Sequence, residues 1–228
     1  MSYTLITANR NYSSWSLRPW VLMTALGIAF DDRIELFAQP DNYAAFRDFS
    51  PTGQVPVLLD GARTIWDSLG IILYLADRHP AIWPADEAAR AWAQCATAEM
   101  HSGFSTLRRD CTMNVGVRVA PHRHAPALNR DIARLTELWG EGLARFGGPY
   151  LAGAAFTAVD AFYAPVAFRV RTYGLDVGPV AQAWVDHMLA HPAMREWEAA
   201  ALAETWREDS HEAEIGAAGR IVADYRAS

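Results

Sequence analysis

Ser13 and Ser14 stand side by side in Asn11-Tyr12-Ser13-Ser14-Trp15-Ser16-Leu17-Arg18-Pro19-Trp20, between a short apolar stretch, Tyr3 to Ala8, and an apolar-periodic segment. Ser is favoured where a helix begins, because its oxygen accepts a hydrogen bond from the unpaired N–H groups of the first turn. That end of a helix also carries partial positive charge. An anion, or a thiol being converted to a thiolate, is stabilised there. The spacing predicts a helix from Ser14 to Leu26, with Pro19 early in it and Gly27 as its end.

Three further stretches carry chemistry or its support. In Gly53-Gln54-Val55-Pro56-Val57-Leu58, Pro56 cannot donate to a sheet ladder, so it marks an edge, a bulge or a cis bond. A cis Val55–Pro56 bond would turn the Val55 backbone outward, to pair with an extended peptide-like ligand as a strand does; a trans bond makes a plain edge strand. In Thr64-Ile65-Trp66-Asp67-Ser68-Leu69, a carboxylate and a hydroxyl sit where a strand runs into a helix. They serve as an ordinary N-cap, or they hold the ammonium and carboxylate of an amino-acid headgroup. Thr157-Ala158-Val159-Asp160 is a capping-box variant ahead of an apolar run, and its expected role is structural.

The elements that position these residues change character along the chain. Strand signals at Tyr3 to Ala8, Arg33 to Phe37, Val55 to Leu59 and Arg63 to Trp66 alternate with helical ones at Ser14 to Leu26, Asn42 to Phe49 and Ser68 to Arg78. Asp60-Gly61 is a hairpin turn. The order βαβαββα implies a mixed four-stranded sheet covered by helices. His79-Pro80 stops the last helix. Residues 1–80 therefore form one domain, 81–87 a linker and 88–228 an all-helical domain, with helices from Ala88 to Val115, Ala127 to Phe146, Ala158 to Tyr173, Pro179 to Ala190 and Pro192 to Trp206. A breaker region covers Val119 to Pro126, and the tail beyond Arg207 has no clear order.

Composition excludes several classes. The 228 residues are 51% apolar and 20% charged, a globular balance. A formal net charge of −6 leaves no basic excess for phosphates, so nucleic acid is not an expected partner. No apolar run is long enough to span a membrane, and the start of the chain lacks the pattern of a secretory signal. With Cys95 and Cys111 as the only cysteines, a reduced, cytoplasmic setting is expected. His122 and His124 lack acidic or Cys partners, so no metal is expected.

Taken in order, the hydroxyls at the first helix, Gln54-Val55-Pro56, Asp67-Ser68 and Thr157-x-x-Asp160 resemble the cytosolic glutathione S-transferases over residues 1 to about 206. The resemblance implies a thioredoxin-like N-terminal domain and a helical C-terminal one. It also implies a homodimer that binds glutathione as co-substrate and takes a small hydrophobic electrophile in an apolar second site. Ser13-Ser14-Trp15-Ser16 is similar to the serine-type members, above all the zeta class with its Ser-Ser-Cys. That likeness assigns Ser13 to the glutathione sulfur with Ser14 close behind.

By the same resemblance Gln54, Val55 and Pro56 face the cysteinyl part, Asp67 and Ser68 the γ-glutamyl end, and Gln39 or Asn42 the glycyl carboxylate. Many relatives have Glu or Gln in place of Asp67. Trp15, Met100 and Phe104 are expected to line the second site. Trp15 occupies the place of the cysteine of thiol-exchanging members, which disfavours that chemistry. Two alternatives stand beside the transferase. One is a maleyl-diacid isomerase of the zeta type, with Arg108, Arg169 and Arg171 on the substrate carboxylates. The other is a non-catalytic binding module, which would be expected to lose the helix-one hydroxyl or the Asp67-Ser68 pair.

Overall fold

The computed structural model describes residues 3–37, 42–122 and 125–227. β1, Tyr3–Thr7, pairs in parallel with β2, Phe30–Ile34. Parallel neighbours need a crossover, and α1, Ser14–Ala25, supplies it. After α2, Asn42–Phe46, β3, Val57–Asp60, runs antiparallel to β1, and β4, Arg63–Trp66, returns along β3. α3, Ser68–Ala76, completes the βαβαββα order, with strands arranged β2-β1-β3-β4. Leu5, Ile6, Val57 and Leu58 are fully buried in the central strands.

Several boundaries differ by a few residues from those read in the sequence, the second strand most of all. The second strand lies three residues earlier than Arg33 to Phe37, because the parallel register on β1 selects it while most of its side chains remain exposed; edge-strand pairing overrides the apolar pattern. Pro19 lies inside α1 and not in its first turn. The helix ends as expected. Gly27 has φ of +65°, and the N–H groups of Gly27 and Ile28 donate back to Thr24 and Met23 at 3.2 and 2.9 Å.

The second half holds α4, Glu87–Ser102; α5, Ser105–Asp110; α6, Pro126–Phe146; α7, Ala158–Tyr173; α8, Gly178–Ala190; and α9, Pro192–Ala203. α7 is its axis: Arg171 alone among its residues escapes burial. It packs on α1, α4 and α8, so one hydrophobic cluster runs through both halves of the chain.

The expected continuous helix from Ala88 to Val115 is broken at Gly103 and Phe104. Phe104 has φ of +52°, and a Cβ at Gly103 would stand 2.7 Å from the Glu99 carbonyl oxygen. The second half is also not purely helical. β5, Val117–Pro121, runs into the start of the expected breaker region and pairs antiparallel with β6, Gly219–Asp224. The tail beyond Arg207 is thus ordered, with α10, Asp209–Ala218, leading into β6. Within β5, buried Val117 and Val119 alternate with half-buried Arg118 and Ala120, the period of a strand. Among the described residues no helix is long and apolar enough to cross a membrane.

Candidate functional site

A cavity of about 710 Å³ opens beside the start of α1. Its lining brings together Ser13, Ser14 and Trp15, the stretch Gly53 to Pro56, and Asp67 with Ser68, three segments distant in sequence. The opposite wall comes from His101, Arg108, Arg109, Arg169, His211 and Glu214.

The turn that presents the serines is held from both sides. Ser13 N–H donates to the Asn9 carbonyl at 2.9 Å and Ser14 N–H to the Tyr12 carbonyl at 2.8 Å. The N–H groups of Arg10 and Asn11 donate to the Glu204 carboxylate at 2.5 and 3.2 Å, and Asn11 Nδ2 to the Ala201 carbonyl at 2.6 Å. Burial raises the Glu204 carboxyl above its ordinary value against the pull of these bonds. Arg10 itself ion-pairs with Asp32 and lies over the rings of Trp20 and Trp197.

Ser13 is the residue before α1, yet its hydroxyl makes no capping bond. It donates to Ser16 Oγ at 2.7 Å, and that oxygen also accepts the Ala8 N–H at 3.3 Å. Ser14, the first residue of the helix, lines the cavity, and its hydroxyl has no hydrogen-bond partner among the described residues.

Asp67 combines both roles open to it. Its Oδ1 caps α3 by accepting from Leu69 and Gly70 N–H at 2.8 and 3.1 Å, while Oδ2 lies 3.3 Å from His101 Nε2 on α4. The Ser68 hydroxyl is buried beside it without a partner among the described residues. Burial lowers the His101 pKa, as do Arg18 and Arg108, against Asp67; the ring is therefore neutral near pH 7. Gln54 is held through its backbone by the Ser50 hydroxyl, at 3.1 Å to its N–H and 2.6 Å to its carbonyl. Val55 lines the cavity half-exposed, and the Val55–Pro56 bond is cis.

Not every expected residue reaches the cavity. Met100 and Phe104 are core side chains, 0 and 6% exposed, and neither lines it. Arg171 pairs with Glu198 at 2.6 Å outside the lining, whereas Arg108 and Arg169 take part. Asn42 lines the cavity; Gln39 and His124 fall outside the described residues. Tyr12, His101, His211 and Glu214 were not foreseen. A helix start at Glu208 to Ser210 was the one sequence signal for the last two, because carboxylates and Ser favour caps. Thr157 and Asp160 form the expected capping box, buried and away from the cavity.

A mixed four-stranded sheet in a βαβαββα order joined to a helical second half defines a thioredoxin-like unit with a helical partner, the architecture of the glutathione-transferase fold. The family models agree. "Glutathione S-transferase, N-terminal domain" matches residues 12–78 and "Glutathione S-transferase, C-terminal domain" residues 122–200. The chain belongs to the glutathione S-transferase family. It is 27% identical over 157 residues to a zeta-class glutathione S-transferase of Euphorbia esula, covering 67% of this chain and 70% of the relative. It is 28% identical over 179 residues to glutathione S-transferase 3 of Zea mays, covering 71 and 76%. The theta-class glutathione S-transferase of Xanthomonas axonopodis pv. citri, solved with glutathione bound, superposes with a TM-score of 0.64 at 27% identity over 86% of this chain and 96% of that one.

Proposed function

We propose that the chain is a glutathione transferase that binds reduced glutathione along the Ser13–Val55–Asp67 side of the cavity and ionises its thiol for attack on a small electrophile. The observation that carries this is the meeting of the three segments on one cavity, in a family with a glutathione-bound member. The Val55 backbone pairs with the cysteinyl unit. Asp67 Oδ2 takes the γ-glutamyl ammonium, and the buried Ser68 hydroxyl, without another partner among the described residues, meets the γ-glutamyl carboxylate. Asn42 meets the glycyl end.

Ser14 is the hydroxyl free to donate to the sulfur; Ser13 reaches it only by giving up its bond to Ser16. A free thiol has a pKa of roughly 8.5, and lowering it by about two units takes roughly 2.7 kcal/mol. A hydrogen bond to a charged group supplies about 1.5 to 3 kcal/mol and a helix N-terminus about 0.3 to 1 kcal/mol. One serine and the start of α1 therefore suffice without a general base. The thiolate sulfur then attacks the electrophilic carbon, and the leaving group departs with its electron pair. The working protein is a cytoplasmic homodimer by analogy with its family. Calorimetry with reduced glutathione, followed by ultraviolet detection of bound thiolate across pH, tests the reading. Binding with a thiol pKa well below roughly 8.5 supports it; absence of binding removes it.

A further inference from the structure

α10 places His211 on the cavity wall, in the tail beyond the residues that the two family models match. Its ring is held on three sides. It stacks on Tyr12, with centroids 4.9 Å and planes 19° apart, and faces the Phe37 ring from 4.9 Å. Its Nδ1 lies 2.6 Å from Glu208 Oε2, on a carboxylate 4% exposed that also accepts the His211 N–H at 2.8 Å and the Ser210 hydroxyl at 2.7 Å. Burial pushes the Glu208 carboxyl up, but these bonds outweigh it and hold it below its ordinary value. Glu208 is therefore ionised at neutral pH and can only accept, so Nδ1 carries the hydrogen and Nε2 keeps its lone pair. Nε2 has no hydrogen-bond partner among the described residues. A helix cap needs only the bond to the backbone N–H; the sandwiched ring and its charged acceptor go beyond that. A tautomer fixed by a buried carboxylate is what prepares an imidazole to take a proton.

Ionising a thiol in this cavity leaves one proton to be placed. Ser14 and the start of α1 stabilise the thiolate, but a hydroxyl that donates to sulfur cannot receive the proton that sulfur gives up. Other groups of the lining are engaged: Tyr12 donates to Glu212, and Asp67 caps α3 and faces His101. His101 turns Nε2 to Asp67, and its Nδ1 is buried. Glu214 and His211 are left. A thiol lowered by about two units from roughly 8.5 is matched by an ordinary imidazole, about 6.5, and not by an ordinary carboxylate, about 4.3.

Resting on the glutathione reading, we propose that His211 Nε2 accepts the thiol proton of bound glutathione, with Glu208 behind it as a positioning residue. The S–H bond breaks with its electron pair left on sulfur, and an N–H bond forms from the Nε2 lone pair. The site then holds a thiolate beside an imidazolium whose charge Glu208 balances. Once sulfur has attacked and the leaving group has gone with its electrons, the proton passes from Nε2 to solvent and the neutral ring returns. The ring also feels Glu214, three residues on along α10, and, through the Tyr12 hydroxyl, Glu212 with Arg226.

The test counts protons. Reduced glutathione is titrated calorimetrically into the intact protein at pH of about 7.5, where the free thiol is about nine-tenths protonated. Two buffers of different ionisation enthalpy give the protons released, and ultraviolet absorbance gives the thiolate formed. A proton taken by His211 stays on the protein, so wild type is expected to release less than about 0.3 proton per thiolate. His211→Phe keeps a ring between Tyr12 and Phe37 but has no acceptor, and its release is expected to exceed about 0.7. Glu208→Gln keeps an oxygen for the cap and removes the charge, and its release is expected to rise as well. If His211→Phe fails to fold, the wild-type count and Glu208→Gln still decide. Release of about one proton per thiolate by wild type overturns the inference and leaves the glutathione site standing. Release unchanged in His211→Phe also overturns it. If glutathione does not bind, or binds without a thiolate, the underlying reading fails and the inference falls with it.

Discussion

The Tyr12 hydroxyl donates a 2.7 Å hydrogen bond to Glu212, tying the turn before α1 to a helix 200 positions along the chain. Arg226 holds the same carboxylate through both oxygens, at 2.5 and 3.1 Å, and His211 stacks on the Tyr12 ring with centroids 4.9 Å apart. Burial raises the Tyr12 phenol, and the bond to Glu212 adds to the effect. Its proton is committed to the tail and not to the cavity. A tyrosine beside the serine pair would otherwise compete for the role of thiol donor.

This clasp has a pH signature. Burial pushes the Glu212 carboxyl up, but bonds from Arg226 and Tyr12 outweigh it and set the pKa below the ordinary 4.5. Stability from a depressed carboxylate is present above its unfolded value and lost as pH falls through the folded one. Glu212→Gln is expected to cost about 1.5 to 3 kcal/mol at neutral pH, the range for a hydrogen bond to a charged group. The gap from wild type should close as pH drops below about 4.5. Thermal melts at several pH values decide it; a gap independent of pH would assign the loss to packing alone.

The two serines separate by what their hydroxyls already bind. Ser14→Ala is expected to raise the thiol pKa of bound glutathione by about one to two units, removing the free donor. Ser13→Ala breaks the bond to Ser16, so its main expected cost is about 1 kcal/mol of stability, with a smaller thiol shift. Thiolate absorbance across pH is the measurement. The reverse ranking would return the catalytic role to Ser13.

The first half of the fold was legible because its signals are local: an apolar strand, a hydroxyl at a helix start, Asp60-Gly61 at a hairpin. The candidate residues drawn from turns, Ser13, Ser14, Val55, Asp67 and Ser68, stand out in sequence for the same reason, and they line one cavity. Met100 and Phe104 were misassigned because helical spacing marks an apolar side chain as buried without saying whether core or cavity buries it. The tail was illegible for a different reason. β6 exists only through its ladder with β5, more than ninety residues away by the pairing of Val117 with Asp224, and no local pattern announces a non-local pair. In sequence Arg18 is one more residue of the first helix; only packing reveals that its charge is buried without an ion-pair partner among the described residues.

Asp67 is open to a two-variant dissection. Asp67→Asn keeps an oxygen for the Leu69 and Gly70 N–H groups and removes the charge, whereas Asp67→Ala removes both. Stability is expected to drop by about 1 kcal/mol for Ala and far less for Asn. Glutathione affinity is expected to weaken about ten-fold or more in both, since loss of a charge-assisted bond to the ammonium is common to them. Urea midpoints and calorimetry read the two effects apart. Affinity retained in Asp67→Asn would show that the carboxylate serves the helix alone.

Asp160 gives the converse pH dependence. Its carboxylate is fully buried, accepting Leu151 N–H at 2.9 Å, Thr157 N–H at 3.0 Å and Trp184 Nε1 at 3.3 Å. Burial outweighs these donors and pushes the carboxyl up from 3.8 to about 6. A raised folded pKa favours the protonated form, so the stability it brings is complete below the unfolded value and is lost as pH rises through about 6. The Asn variant stays neutral throughout. Relative to Asp160→Asn, wild type is therefore expected to gain about 2 kcal/mol between pH of roughly 7.5 and 4.5, one unit of pKa being worth about 1.4 kcal/mol. Urea unfolding at the two pH values measures it. Both lie at or above the range in which Glu212 is protonated, so the clasp contributes little to the difference. A constant gap would mean that the backbone donors hold Asp160 ionised in the folded chain, and that the start of α7 carries a stabilised negative charge in the core.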